Sequence, residues 1–449
     1  MLNSSFRRAL SWRQLIFYGV WIGCIIAIVF AWGQASWQLL NTNLGDATLA
    51  ISRLLGLLGA FGLVWQLLLV SRAGWLEQIH GFDVWTRVHR VNGVAAFVLT
   101  SAHIPLAVSG NAYLSGQAYL EQWATLITDW EFIGLAALGY VLLVGVIGAS
   151  VNVVRRRLRY EVWYYLHLTN YVMLGLVLWH QIEHGLTLSQ TWFVSAWLTL
   201  HVGIVTHLLM SRFGWPVWLF WRHRFYVRKV VAESRGVYSI YVGGRNLSEY
   251  TYRAGQFAKW RFLQSGLWSQ EHPFTLSIAP NAEALRLTFK QVGDYTDRLP
   301  QVHPGTPVLL SQPLGQFTLH QADRKQLLLI GGGIGITPFR ALLEAASNKY
   351  DITCVYAVRT ADDLALHQEL NRLLGQFPNR RLRIITSKQQ HPDYAHGYID
   401  AAWLREHVPD AVEREVFICG PPPMLDAVTD ALQAVGVADK NIHTERFSL

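Results

Sequence analysis

Cysteine is nearly absent from this chain: its 449 residues hold three, Cys24, Cys354 and Cys419. They form no CxxC pair and no CxxCH, which argues against a disulfide framework, a zinc pattern and covalently attached haem. Charge is scarce too. Charged residues make up 15% of the chain against 51% apolar, whereas a soluble protein carries about 25% charged residues. Lysine is missing altogether before Lys229. Residues 1–224 hold 14 Lys+Arg and 8 Asp+Glu, leaving 24 and 22 for the remainder. The formal surplus of +8 therefore comes mostly from the apolar half. It reads as charge that orients a membrane protein and gives no sign of a nucleic-acid partner.

What the first half does have is length of apolar sequence. Six stretches are long enough to span a bilayer, which takes about 20 helical residues: Leu15–Trp32, Ala47–Val70, Val88–Val108, Phe132–Val154, Val162–Ile182 and Thr191–Met210. The first is longer than a signal-peptide core and no small-residue cleavage site follows it, so it reads as an anchor. Arginines fall in alternate loops: Arg7, Arg8 and Arg13, then Arg72, Arg87 and Arg90, then Arg155, Arg156, Arg157 and Arg159, then Arg212, Arg222 and Arg224. The opposite loops, 33–46, 109–131 and 183–190, contain neither Lys nor Arg. The positive-inside rule then puts both termini in the cytosol.

Histidines inside these spans need a reason, because a polar ring in lipid is costly and turns to the bundle interior. His89 and His103 lie on the third span, His167 and His180 on the fifth. Each pair is separated by about 20 Å along its helix. Both helices run from cytosol to outside, which makes two levels: His89 with His167 near the cytosol, His103 with His180 near the outer face. Single histidines often just hydrogen-bond across a bundle. Four at matched depths point instead to two six-coordinate b-type haems. The spacing of 13 between His167 and His180 misses helical alignment by about 140°. A bend, a π-bulge or a different ring in span five is therefore expected, with His184 as the rival. His201 and His207 on span six read as packing or haem-edge residues. Arg53, near the outer end of span two, is either satisfied by a haem propionate or an anionic substrate, or snorkels to the interface.

After Trp215-Pro216 the pattern changes to short alternating runs: Phe225–Val231, Val237–Val242, Phe257–Phe262, Leu285–Lys290 and Pro307–Leu310. They predict a small antiparallel β-barrel. From about Gln326 the character becomes strand, glycine loop, helix, with further strands at Ile352–Ala357, Leu382–Thr386 and Val416–Cys419. That is an α/β nucleotide-binding domain. The expected division is residues 1–215 for the membrane bundle, 216–224 a linker, 225–320 a barrel and 321–449 the nucleotide domain. Gly331-Gly332-Gly333-Ile334-Gly335-Ile336-Thr337-Pro338 would bring backbone N–H groups to a pyrophosphate at a helix N-terminus. His272-Pro273-Phe274-Thr275-Leu276-Ser277 offers an aromatic face and hydroxyls suited to a flavin. Lys290-Gln291-Val292-Gly293-Asp294-Tyr295-Thr296 offers a cation, a glycine turn and a hydroxyl suited to its pyrophosphate. Cys419-Gly420-Pro421-Pro422-Pro423-Met424 gives a stiff loop on which a nicotinamide could rest.

These motifs carry a resemblance. The second half looks like the ferredoxin–NADP reductase superfamily. With the histidine spacing, nearly the whole chain resembles the NADPH oxidase and ferric reductase superfamily, above all its compact bacterial members. The resemblance implies FAD binding by His272, Pro273, Phe274, Thr275, Ser277, Lys290, Gly293 and Thr296. It implies NADPH binding, with NADH possible, by Gly332, Gly333, Gly335, Thr337, Cys419, Gly420 and Pro421, with Cys419 also expected to be catalytic. It implies that Phe447 shields the flavin, that Arg359 grips the 2′-phosphate, and that a spacing of 13 or 14 favours His180 over His184. Two features depart from the family: Met173 and Leu174 stand where eukaryotic oxidases often place an aromatic between the haems, and Ala107 replaces an outer histidine, leaving Arg53 alone of the oxygen-site pair. The expected acceptor is O2, giving superoxide; a ferric chelate or a periplasmic protein are the alternatives. The expected location is the bacterial inner membrane.

Overall fold

A computed structural model describes residues 11–71, 73–128, 133–155, 157–158 and 160–446. The chain divides into two compact units. One comprises Leu10–Arg72 and Phe82–Met210; the other gathers Ala73–Gly81 with Ser211–Leu449.

The first unit is helical. Its long helices are α1 (Trp12–Ser36), α2 (Leu44–Leu69), α3 (Phe82–Ser115), α4 (Leu135–Ser150), α5 (Tyr160–His184) and α6 (Thr191–Leu209). Starts are written locally: the Ser11 hydroxyl caps α1 in a capping box with Gln14, and the Asn43 side chain accepts from the Asp46 N–H at the head of α2. Helices Trp12–Ser36, Leu44–Leu69, Val84–Ser115 and the continuous Thr191–His223 are long and apolar enough to cross a membrane, and Leu135–Ser150 is a shorter apolar helix. Large apolar side chains such as Ile22, Ile26, Val94 and Val202 point outward, as lipid-facing residues must. Small residues let α2 and α3 meet closely. A Cβ on Gly59 would lie 2.6 Å from the Thr100 methyl, and one on Gly62 would lie 2.9 Å from the Ala96 Cβ. Apolar lipid gives no hydrophobic reward for helix association, so close contact of this kind has to supply it. The π-bulge considered for span five is not found: α5 is α-helical from Tyr160 to His184. A π-helical turn occurs at Met210–Gly214 instead, where α6 passes into α7 (Trp215–His223).

The second unit opens with two three-stranded antiparallel sheets, β1 (Tyr226–Ser234), β2 (Val237–Gly243) and β5 (Leu285–Lys290) in one, β4 (His272–Thr275), β3 (Phe257–Phe262) and β6 (Val308–Leu310) in the other. A bridge between Tyr226 and Pro307 and a hydrogen bond from Ser277 N–H to the Arg286 carbonyl link them. Phe225, Trp260, Phe262, Leu276 and Leu287 fill their shared core. A six-stranded parallel sheet follows, in the order β10 (Ala395–His396), β9 (Arg380–Thr386), β8 (Asp351–Val358), β7 (Gln326–Gly332), β11 (Glu415–Gly420), β12 (Ile442–Arg446). Its central strands are buried along nearly their whole length, which is why they read as continuous apolar runs. Strand order reverses between β7 and β11, and a crevice at such a switch point is where open α/β sheets bind ligands.

Candidate functional site

In the helical unit the four span histidines meet in the two pairs their depths predict. Ring centres are 6.1 Å apart for His89 and His167 and 6.4 Å for His103 and His180. Metal–imidazole bonds of about 2.0–2.1 Å put two opposed ring centres roughly 6 Å apart, so each pair fits one iron between its rings. The Nδ1 atoms of His89 and His167 are buried with no hydrogen-bond partner among the described residues. His180 is the ring set against His103. The α5 backbone that carries both rings is α-helical from Tyr160 to His184, so no π-turn lies between them.

Around the pairs, the Gln66 amide donates to the His89 carbonyl at 2.9 Å, and Trp163 lies 5.1 Å from the His167 ring. Met173 is fully buried at mid-depth with Leu63, Ala96 and Leu143, one residue from each of four helices. Arg53 Nη1 is buried without a hydrogen-bond partner among the described residues. His201 Nδ1 donates to the Trp197 carbonyl and His207 Nε2 lies 3.3 Å from the Ser71 hydroxyl, both matching a packing role.

In the second unit the flavin candidates cluster along β4, β5 and the loop after β5. Pro273 is exposed and Phe274 half-buried, while Thr275 and Ser277 are buried. The His272 ring stacks on Tyr295 at 3.8 Å, and burial draws its pKa down, with Glu271 pulling weakly the other way. Ser277 donates to the Arg286 carbonyl and meets the Thr288 hydroxyl at 2.9 Å, so its oxygen serves the sheet in this state. Thr296 Oγ1 accepts from the Val292 and Gly293 N–H groups and shapes the turn. Around Gly293 the space is open. Lys290 pairs with Asp363 at 3.0 Å. Burial alone would raise the Asp363 carboxyl, but Lys290 outweighs it and holds it below the ordinary range. Both side chains are part-exposed, and a pair of that kind is worth only about 0–1 kcal/mol, so an incoming phosphate can take the ammonium over.

The nucleotide loops sit at the switch point. Gly332, Gly335 and Gly420 pack so closely that a Cβ on Gly335 would strike the Cys419 carbonyl and one on Gly332 would strike the Met424 sulfur. Gly333 adopts φ +54° with open space where a side chain would go. A backbone cradle with room for a pyrophosphate is the result. The Thr337 hydroxyl donates to the Ile334 carbonyl and closes the turn. Pro421 is exposed, whereas the Cys419 thiol is fully buried; burial, and next to it the Glu445 charge, hold that thiol well up and neutral. Arg359 is exposed at the end of β8. Phe447 lies outside the described residues. Sequence reasoning missed Ser52 and Gly56 on α2 and Asp363 beside Lys290; only the small-residue spacing on α2 carried any signal of them.

Comparison with known proteins fits this geometry. A family model for the ferric reductase-like transmembrane component matches residues 55–178, and one for the oxidoreductase NAD-binding domain matches 329–430. The flavohemoprotein of Burkholderia sp. (strain TH2) is 32% identical over 239 residues, covering 51% of this chain and 60% of that one. The glycine betaine monooxygenase reductase subunit of Chromohalobacter salexigens is 26% identical over 241 residues, covering 51% and 65%. The matches span 58–66% of the length of the first curated relatives. Among solved structures, the FAD/NAD-binding domain of nitric oxide dioxygenase from Vibrio cholerae is 25% identical with a TM-score of 0.45, covering 50% of this chain and 98% of that chain. The chain thus carries a ferric reductase-like transmembrane component and an oxidoreductase NAD-binding domain, and its apolar helices make the first a multi-pass membrane component. The order of the two matched regions, transmembrane component first and NAD-binding domain second, matches the NADPH oxidase and ferric reductase type of arrangement.

Proposed function

We propose that this protein moves electrons from cytosolic NAD(P)H through FAD and two b-type haems to an acceptor on the outer face of the bacterial inner membrane, with O2 as acceptor and superoxide as product. The observation that carries the proposal is the pair of histidine–histidine contacts, 6.1 and 6.4 Å between ring centres, at two depths of one bundle. His89 and His167 hold the inner haem, His103 and His180 the outer one, in a bundle of six spanning helices with both termini cytoplasmic. When bound, FAD takes two electrons as hydride and the haems carry them singly.

The chain's own residues do the positioning. Gly332, Gly333, Gly335, Thr337 and Gly420 cradle the dinucleotide, Pro421 stiffens the loop that seats its nicotinamide, and Arg359 meets a 2′-phosphate. Buried Cys419 remains a neutral thiol at the foot of that loop. His272, Pro273, Phe274 and Thr275 form the flavin wall, Ser277 and Thr296 fix its backbone, and Lys290 and Gly293 receive its pyrophosphate. Phe447 covers the flavin face. Arg53, with its buried Nη1, offers positive charge to a propionate or to the reduced acceptor. Outer loops without Lys or Arg suit a small neutral acceptor better than an anionic iron chelate.

Acceptor profiling of the purified full-length chain with NADPH and NADH tests this. The expected result is superoxide-dismutase-sensitive cytochrome c reduction with no added protein. Turnover only with ferric chelates would replace oxygen by iron, and turnover only with a periplasmic protein would make the chain an electron conduit.

A further inference from the structure

His103 differs from the two inner rings in what stands behind it. At the inner level, Nδ1 of both His89 and His167 is buried without a hydrogen-bond partner among the described residues. At the outer level, His103 Nδ1 lies 2.9 Å from the Ser52 carbonyl and 2.9 Å from the Ser52 hydroxyl oxygen. Ser52 is almost fully buried, 1% exposed, in the third turn of α2.

The proton can be placed by elimination. A carbonyl oxygen only accepts, so Nδ1 at 2.9 Å from it carries the hydrogen. The Ser52 hydroxyl spends its own hydrogen on the His103 carbonyl, 2.9 Å away, and its lone pair is left facing Nδ1. The Nδ1–H is therefore shared between two oxygens of one residue, and Nε2 is left unprotonated, which is the nitrogen an iron requires. Gly56, one turn along α2, makes the contact possible: a Cβ there would lie 2.9 Å from His103 Nδ1 and 3.1 Å from Cε1.

We propose that Ser52 is a positioning residue for the outer haem: its backbone carbonyl sets the tautomer of His103, its hydroxyl is the second acceptor that orients the ring and raises its donor strength, and Gly56 is the notch that admits the ring. The inference rests on the two-haem reading above. An N–H donated to an acceptor gives the imidazole partial anionic character and makes it a stronger ligand. A stronger donor favours ferric over ferrous iron and lowers the midpoint potential of that haem alone.

The test uses the purified full-length protein and three variants: Ser52→Ala, Ser52→Thr, and Ser71→Ala as a control for a serine bonded to His207. Haem is counted by pyridine haemochrome, potentials are taken by spectroelectrochemical titration, and the low-spin electron paramagnetic resonance signals are recorded. In Ser52→Ala one midpoint moves to more positive values and one low-spin signal shifts, while the other haem stays as in wild type. Ser52→Thr keeps the hydroxyl and returns both towards wild type, and Ser71→Ala changes neither. If Ser52→Ala drops the outer haem altogether, its return in Ser52→Thr supports the proposal and its absence there overturns it. Two haems with unchanged potentials and signals in Ser52→Ala would overturn the proposal and leave the haem reading intact. Wild-type protein without two haems would sink the haem reading and this inference with it.

Discussion

The two units of this chain keep their chemistry in different places. In the helical unit it lies in side chains: four imidazoles, one guanidinium and a serine set into walls of apolar residues. In the second unit it lies largely in backbone: glycines whose missing side chains let β7 and β11 loops approach within contact. The difference follows from the solvent. In lipid, backbone polar groups must be spent within the helix, so only a side chain remains to hold a cofactor. At the open end of a parallel sheet, strand-end and helix-start N–H groups are free to bind phosphate. Substitution should therefore act locally in the first unit and through packing in the second.

The largest expected effect is on the side-chain site. His103→Ala or His180→Ala should remove one of two haem signals and abolish reduction of the outer acceptor, while NAD(P)H still bleaches the flavin. Absorbance spectra and anaerobic flavin reduction measure both. Two full haem signals in either variant would break the contrast at its strongest point.

Next comes an ion network that holds the second unit together. Arg286 on β5 is bonded to Glu233 and Glu369, and Glu369 is also bonded to Arg340 on α8 (Thr337–Ala345). Both arginines are nearly buried. Burial would raise the Glu369 carboxyl, but its hydrogen bond to Arg340 and the two positive charges outweigh burial and hold it below the ordinary range. Glu369→Gln leaves two buried guanidiniums with less compensation and should cost about 3 kcal/mol. Because the folded value is depressed, this stabilisation is present above the ordinary carboxylate range and lost as pH falls through the folded value. Wild type should therefore lose it in acid, and the variant should show a shallower acid limb when flavin release is followed against temperature and pH.

Gly335→Ala tests the backbone site itself. The new methyl meets the Cys419 carbonyl and the Gly420 nitrogen, which are strand-end backbone and not flexible tips. Overpacking of this kind costs on the order of 2 kcal/mol. The KM for both nicotinamides should rise while haem content is unchanged, and kinetics that match wild type would mean the loops have slack that the packing denies.

How much of this was legible in the sequence follows the same division. The histidine pairs were readable because a polar ring in an apolar run is conspicuous and its depth can be counted. The central strands were readable as apolar runs. Strand β12 was not: Ile442-His443-Thr444-Glu445-Arg446 alternates weakly, and its place beside β11 is a long-range pairing. Ser52 and Gly56 were invisible as site residues, since serine and glycine in a membrane helix ordinarily mean close packing. Of the three ways span five could seat a ring 13 residues on, a bend, a π-bulge or another ring, the π-bulge is absent from α5 and His180 is the ring that meets His103. Lys290 was readable as a cation but its partner was not, since Asp363 is brought to it by the fold.

The smallest effect asks whether the second unit uses any side chain for recognition. Arg359 is exposed at the carboxyl end of β8, and the Lys388 N–H bonds its carbonyl at 2.9 Å, so strands β8 and β9 bring both basic residues to one edge. A charged hydrogen bond to a 2′-phosphate sits near the ~1.4 kcal/mol that corresponds to a tenfold change in affinity. Arg359→Ala should raise the KM for NADPH by about 10-fold, leave the KM for NADH unchanged and leave kcat with either nearly untouched. Equal changes for both nicotinamides would assign Arg359 to the shape of the loop, and the second unit would then read its dinucleotide by backbone alone.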